Sequence, residues 1–263
     1  MTDTFEFIKY EKAGHIAYLT LNRPEVMNAL HASAHQECAC AVDDFESDSD
    51  AWVMIVTGAG DRAFCAGMDL RARAAEGEQP VPMPPGGFAG LTNPKAVQIT
   101  KPIIAAINGY ALGGGLELAM ACDIVVAADT AMLGLPEVKR GIVAAGGGMH
   151  RLPRQMPLKI AMGYLLTGKH MTAEEAHHWG LVNEVVPAAE LMEAAKRWAS
   201  EIIEAAPLSV RASKQAAMLG LDMPLEDAYN TQFPALQAMR GSNDSREGVA
   251  AFAERRKPNW TGT

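Results

Sequence analysis

Two stretches of the chain, GAGDRAFCAGMDL (58–70) and GYALGGGLELAMACD (109–123), set glycine turns after apolar runs and at the start of helical patterns. Backbone N–H groups at such a turn have no partner within the helix and carry its positive end, so they suit an anionic oxygen. Two such turns facing each other would form an oxyanion hole, although each also serves simply as a tight packing turn. Glu117 stands in the second stretch among Leu116, Leu118, Ala119, Met120 and Ala121, which leave it no polar face. A structural acid at a helix start gains about 0.3–1 kcal/mol from the dipole and can stay exposed. A buried one has its pKa raised toward the range useful for proton transfer. Glu137, in LGLPEVKRGIV, follows a proline, with Lys139 and Arg140 close by. Alone it reads as half of a surface ion pair. Two carboxylates converging on an oxyanion hole, however, are what addition of water beside a carbonyl requires.

Other chemistries fit less well. Gly58 and Gly60 after a strand, with Ala63 in the third position, imitate a dinucleotide fingerprint. A second glycine turn nevertheless replaces the long helix, and no acid follows about 20 residues on at the end of a second strand. There is no GxxxxGK[ST] phosphate loop and no GxSxG elbow. His177 and His178 are adjacent and face different ways, and His31 and His35 read as a solvated helix face, so no metal site is expected. The reading requires neither metal nor redox cofactor.

The elements that must carry these residues alternate. Runs at 15–21, 51–57, 103–108, 123–129 and 181–186 read as strands. Asn28 reads as the cap of a helix reaching about Asp43, and a short helix is expected from Leu116. Thr172 and Glu175 form a capping-box pattern closed by Gly180. Helical patterns follow at 189–205, 207–219 and 224–240, then a last helix capped by Asp244. The class is therefore α/β. The Pro/Gly-rich segment 76–90 reads either as a surface loop or as a wall over a site.

A chain of 263 residues buries enough apolar surface to fold without staples. Cys38 and Cys40 are too close to bridge, and Cys65 and Cys122 sit singly in apolar surroundings, so a reducing, cytoplasmic setting is expected. No signal-peptide pattern and no membrane-length apolar run is present. The net charge of −8 repels nucleic acid and anionic membranes, so any phosphate must be met by local cations.

In order and spacing, LNRPEVMNAL (21–30), AFCAGMDL (63–70), KPIIAAINGYALGGGLELAMACDI (101–124), LPEVKRGIV (135–143), LLTGKHMTAEEAHHWGLVNEVVP (165–187) and AFAERRKPNW (251–260) resemble the crotonase, or enoyl-CoA hydratase/isomerase, family over nearly the whole chain. The resemblance implies a spiral of ββα units over 1–197 and a helical region, 198–263, that builds homotrimers, commonly paired into hexamers. It implies an acyl-CoA substrate, with coenzyme A entering only as part of the thioester. The N–H groups of Met68 and Gly114 would hold the thioester oxygen as an enolate, and Ala66 with Met68, Asp69 and Leu70 would run beside coenzyme A. Glu117 would help activate a water and Glu137 would exchange the proton at the α-carbon, giving reversible hydration of a 2-enoyl thioester or dehydration of a 3-hydroxyacyl one. An isomerase, or a non-catalytic acyl-CoA-binding oligomer, is the alternative. Arg23 and Lys257 are the cations expected to meet coenzyme A. GGFAGLT (86–92), LPEVKRGIV and KPNWTG look more like the carnitinyl-CoA dehydratase branch than the fatty-acid enzymes. After Gly141 the family often reads Ile-Pro-Gly-x-Gly-Gly, whereas this chain reads Val143-Ala144-Ala145-Gly146-Gly147-Gly148. In hydratases the backbone at the Ala145 position helps hold the water; alanine keeps that N–H but lacks glycine's freedom.

Overall fold

Apolar runs without polar alternation suit strands covered on both faces of a parallel sheet, and the central runs VMIVTG and IIAAI become such strands. The computed structural model describes residues 5–75, 82–93 and 99–263. Its larger sheet contains β1 (Ile8–Ala13), β2 (Ile16–Leu21), β3 (Val53–Gly58), β5 (Ile103–Ile107), β7 (Ile124–Ala128) and β10 (Glu184–Val186), in the order β1-β2-β3-β5-β7-β10. The β1–β2 pair is an antiparallel hairpin; the remaining pairs are parallel. A smaller sheet, in chain and spatial order, contains β4 (Ala63–Cys65), β6 (Tyr110–Leu112), β8 (Met132–Gly134) and β9 (His170–Thr172).

The two sheets share a repeated logic. A long strand ends, the chain turns a corner, and a three-residue strand of the smaller sheet follows: β3 to β4, β5 to β6, β7 to β8. After β6 comes α3 (Gly114–Ala121), and after β8 a 3-10 turn over Pro136–Arg140. Asn108 braces one corner, donating to the Gly58 and Gly60 carbonyls at 2.9 and 2.8 Å, so the ends of β3 and β5 are held together.

The other helices are α1 (Ala32–Ser47), α2 (Leu70–Ala75), α4 (Gly148–Gln155), α5 (Leu158–Thr167), α6 (Ala173–His178), α7 (Leu191–Ile203), α8 (Pro207–Gly220), α9 (Leu225–Asn230), α10 (Pro234–Arg240) and α11 (Asn243–Glu254). The Thr172–Glu175 capping box forms at α6 as expected. The core lies between the larger sheet, α1 and α7, with Phe45, Met54 and Ile104 fully buried. Lys101 is buried beside it, and its ammonium donates to the carbonyls of Phe45 and Asp48, closing the end of α1.

Four local expectations are corrected. Asn28 does not cap α1; His31 does, accepting the Ala34 N–H at 3.1 Å. The Asn28 side chain is spent on the backbone, accepting from Arg23 N–H and donating to Ala59 and Ala63 carbonyls, with its own φ at +55°. His35 is buried rather than solvated, because the 82–93 segment covers that face of α1. The pattern at 224–240 breaks into α9 and α10, since Pro234 forces Phe233 into an extended conformation. At α11 the cap is Ser242, while Asp244 turns inward to accept the N–H groups of Thr261 and Gly262.

Candidate active site

Parallel pairing of β4 with β6 sets the turns at their C-terminal ends side by side. Gly67 has φ +93°, and a Cβ there would lie 2.8 Å from the Leu112 carbonyl oxygen and 3.0 Å from Gly114 N. Only glycine permits this approach. It brings Met68 N–H next to Gly114 N–H at the first position of α3, and neither donates to another group among the described residues. Both residues line one cavity of about 880 Å³.

The two acids face the same cavity. Glu117, in the first turn of α3, is only 4 % exposed, and its Oε1 accepts the Gly148 N–H at 2.8 Å. Its other oxygen abuts Gly146, where a Cβ would lie 2.5 Å from Oε2. Burial pushes the Glu117 carboxyl up to about 7; the Gly148 bond opposes that rise, and the nearby charge of Glu137 adds to it. Glu137 is the second residue of the 3-10 turn and is 9 % exposed. Its Oε1 sits over the helix entry, 3.0 Å from where a Cβ of Gly113 would be, and its buried Oε2 has no hydrogen-bond partner among the described residues. Burial raises its pKa as well, against the pull of its own backbone N–H and of Arg140. The site thus joins two buried carboxyls, both with raised pKa, to two N–H donors left free among the described residues.

The chain was compared with known proteins. A model of the enoyl-CoA hydratase/isomerase family matches residues 11–263. The carnitinyl-CoA dehydratase of Escherichia coli K12 is 44% identical over 265 residues, covering 98% of this chain and 99% of that protein. The chain belongs to the enoyl-CoA hydratase/isomerase family. Among solved structures, enoyl-CoA hydratase from Mycobacterium tuberculosis superposes with a TM-score of 0.90 at 42% identity, covering 98% of this chain and 99% of that one. Enoyl-CoA hydratase from Bacillus anthracis gives 0.88 at 34% identity, covering 98% and 100%. The ββα spiral and the crotonase fold expected from the motifs are therefore established.

Of the positions that the crotonase resemblance singles out, Ala66, Met68, Leu70, Gly114, Glu117 and Glu137 line the cavity. Asp69, Arg23 and Lys257 do not. Arg23 and Asp69 pair with each other at 3.0 Å, so both charges are already matched at the cavity's edge. Lys257 lies exposed beyond α11. The Ala145 N–H, which the family pattern assigns to the water, donates to the Val143 carbonyl at 2.8 Å; Ala145 has no positive φ, so alanine sits there without strain.

Of the two readings of the 76–90 segment, the wall over a site fits its described part, but sequence reasoning missed the contacts that hold it. Of the 76–90 segment, 76–81 lies outside the described residues, while Met83, Gly87 and Phe88 line the cavity. The Phe88 ring lies against Gly114, where a Cβ would meet it at 2.4 Å. Behind Phe88 is His35, edge-on at 4.5 Å, whose Nδ1 accepts the Ala89 N–H at 3.1 Å. Arg151 ties the wall to the turn beneath Glu117 through the carbonyls of Thr92 and Gly146. No short-range signal reveals these contacts, since the partners are 54 and 59 residues apart. Among the described residues no group of acids, histidines or cysteines could hold a metal ion, and no helix is long and apolar enough to cross a membrane.

Proposed function

We propose that this enzyme catalyses reversible addition of water to a 2-enoyl-CoA thioester, and its reverse from the 3-hydroxyacyl-CoA. What carries the reading is one observation: two buried carboxylates and two N–H groups without a partner among the described residues share a cavity. The thioester oxygen accepts from Met68 N–H and Gly114 N–H. Glu117 takes a proton from water as its oxygen bonds to the β-carbon; the π electrons move to the thioester oxygen as an enolate, and Glu137 delivers a proton to the α-carbon. Atoms and electrons balance without an oxidant, so the reading needs no metal or redox cofactor. With Ala145 N–H engaged by Val143, holding the water falls to the two acids rather than to that N–H.

The 44% identity to a carnitinyl-CoA dehydratase favours a second reading, dehydration of an acyl thioester bearing a polar γ-substituent. Self-association into homotrimers or hexamers is supported by large apolar side chains left exposed on the C-terminal helices, among them Leu225, Tyr229 and Phe252. Mass spectrometry of crotonyl-, long-chain enoyl- and crotonobetainyl-CoA, each incubated with the enzyme, tests the activity by gain of 18 mass units (one water, about 18 Da). Binding of these esters with neither water gain nor α-carbon deuterium exchange would instead mark a non-catalytic acyl-CoA-binding protein.

A further inference from the structure

The chain carries 31 acidic and 23 basic side chains, so an arginine on its surface has acids to spare. Arg23, Lys214 and Arg256 use them, pairing with Asp69, Asp123 and Glu247. Other arginines, such as Arg62, Arg71 and Arg240, make no ion pair among the described residues, and one wall of the cavity gathers three more. Arg140, Arg151 and Arg154 line it, and none makes an ion pair within 4.0 Å among the described residues. Their partners are backbone carbonyls: Pro136 for Arg140, Thr92 and Gly146 for Arg151, His150 for Arg154. Asp222 shares the lining and pairs with none of them.

The position of this wall follows from the proposed hydration chemistry, on which the inference rests. With the thioester oxygen at Met68 and Gly114, the α-carbon lies by Glu137 and the β-carbon by Glu117. Whatever the acyl group carries beyond its β-carbon continues past Glu117, toward the Gly146–Gly148 turn that touches that acid and the helix α4 that follows it. Arg151 and Arg154 are on α4, and Arg140 ends the 3-10 turn that carries Glu137. A guanidinium offers a planar pair of donors matched to a carboxylate, and a cluster of them repels a cationic group.

We propose that the site is built for acyl groups ending in an anion: 2-enoyl or 3-hydroxyacyl thioesters of dicarboxylic acids, whose distal carboxylate is received by the Arg140, Arg151 and Arg154 wall. A trimethylammonium-bearing acyl group, which the carnitinyl group is by constitution, meets like charge there. The other anion that could occupy the wall is a phosphate of coenzyme A itself, and the experiment separates the two.

Calorimetric binding to the whole enzyme compares glutaryl-CoA, pentanoyl-CoA and 4-trimethylammoniobutanoyl-CoA, which are matched in chain length and cannot be dehydrated or hydrated. Glutaryl-CoA should bind about tenfold tighter than pentanoyl-CoA, as a charge-assisted hydrogen bond gives, and the cationic ester weakest. Arg154→Glu should erase or invert that order; Arg154→Gln should reduce it, and since this side chain is exposed and, among the described residues, bonded only to a carbonyl one turn back, folding is preserved. Equal affinity for the three esters overturns the inference. So does a uniform loss of all three in the variants together with weaker binding of free coenzyme A, which would assign the wall to phosphate. The hydration reading fails separately, by absence of water gain in 2-enoyl esters, since the binding order does not depend on turnover.

Discussion

Glu117 Oε1 and the backbone N–H of Gly148 are joined across 2.8 Å, so the first residue of α4 aims the acid that α3 buries. The bond stabilises the carboxylate but does not overcome its burial, and the folded-state pKa stands at about 7 against an ordinary 4.5. Between those values the folded state holds a proton that the unfolded state has released. Stability therefore falls as pH rises from 4.5 to 7 and is flat beyond, the total being about 3 kcal/mol. Glu117→Gln keeps the acceptor for Gly148 and removes the charge. In urea unfolding at pH 8 it should be more stable than the wild type by about 1–3 kcal/mol, with the difference vanishing near pH 4. An equal difference at both pH values would contradict the burial argument.

The same substitution separates the two acids in catalysis. Hydration requires Glu117 ionised, so its rate should climb as pH passes about 7. Loss of either general acid–base group lowers kcat by about 10²–10⁴. Glu117→Gln should lose hydration yet still exchange the α-carbon proton of a saturated thioester with deuterium, whereas Glu137→Gln should lose both. Exchange that survives in the Glu137 variant would reassign the α-carbon proton to another group.

Contact between Gly67 and the Gly114 turn makes a backbone prediction. A methyl group at position 67 must fit where the Leu112 carbonyl and Gly114 N stand at 2.8 and 3.0 Å, at a φ of +93° that alanine resists. Gly67→Ala should spread the two N–H donors and lower kcat by about 10²–10³, the effect of losing one oxyanion donor. Met68→Ala leaves both N–H groups in place and should change KM more than kcat. A larger kcat loss from Met68→Ala than from Gly67→Ala would mean that the methionine side chain, not its backbone, does the work.

Much of this site was legible because its signals are local. The apolar neighbours of Glu117 announced its burial, and the glycines beside it announced a turn. What escaped depends on distance along the chain. The periodicity of α1 places His31 and His35 on one face but says nothing of a segment 54 residues on that covers His35. Arg23 and Asp69 each read as ligand contacts, and each is satisfied by the other from 46 residues away. Strands β4, β6, β8 and β9 are three residues long, too short to show a period of two, although together they form the sheet that sets the oxyanion turns. Asn28 resembles a cap by type, but three backbone partners claim its side chain first.

His35 provides a titration opposed to that of Glu117. Burial, with the neighbouring His31 charge as a smaller cause, holds its pKa at about 4, below the ordinary 6.5. Here the unfolded state is the one that binds the extra proton between the two values. Stability contributed by the neutral ring is therefore complete above 6.5 and is lost as pH falls toward 4, by about 3 kcal/mol. Protonation also removes the Nδ1 acceptor that holds Ala89, and with it the backing of Phe88 against Gly114. Between about pH 4.5 and 6.5 the slopes from Glu117 and His35 have opposite signs and similar size, so they offset each other in the wild type. Glu117→Gln should expose the rising slope, and His35→Asn, whose amide oxygen can accept from Ala89, should expose the falling one. His35→Leu leaves the Ala89 N–H unpaired, destabilising the protein by about 1–3 kcal/mol at pH 8, where the wild-type ring is neutral, and should lower kcat through the displaced Phe88. Unfolding curves for the three variants from pH 4 to 8 decide the matter: parallel pH profiles for Glu117→Gln and His35→Asn would show that one of the two groups does not titrate as its burial requires.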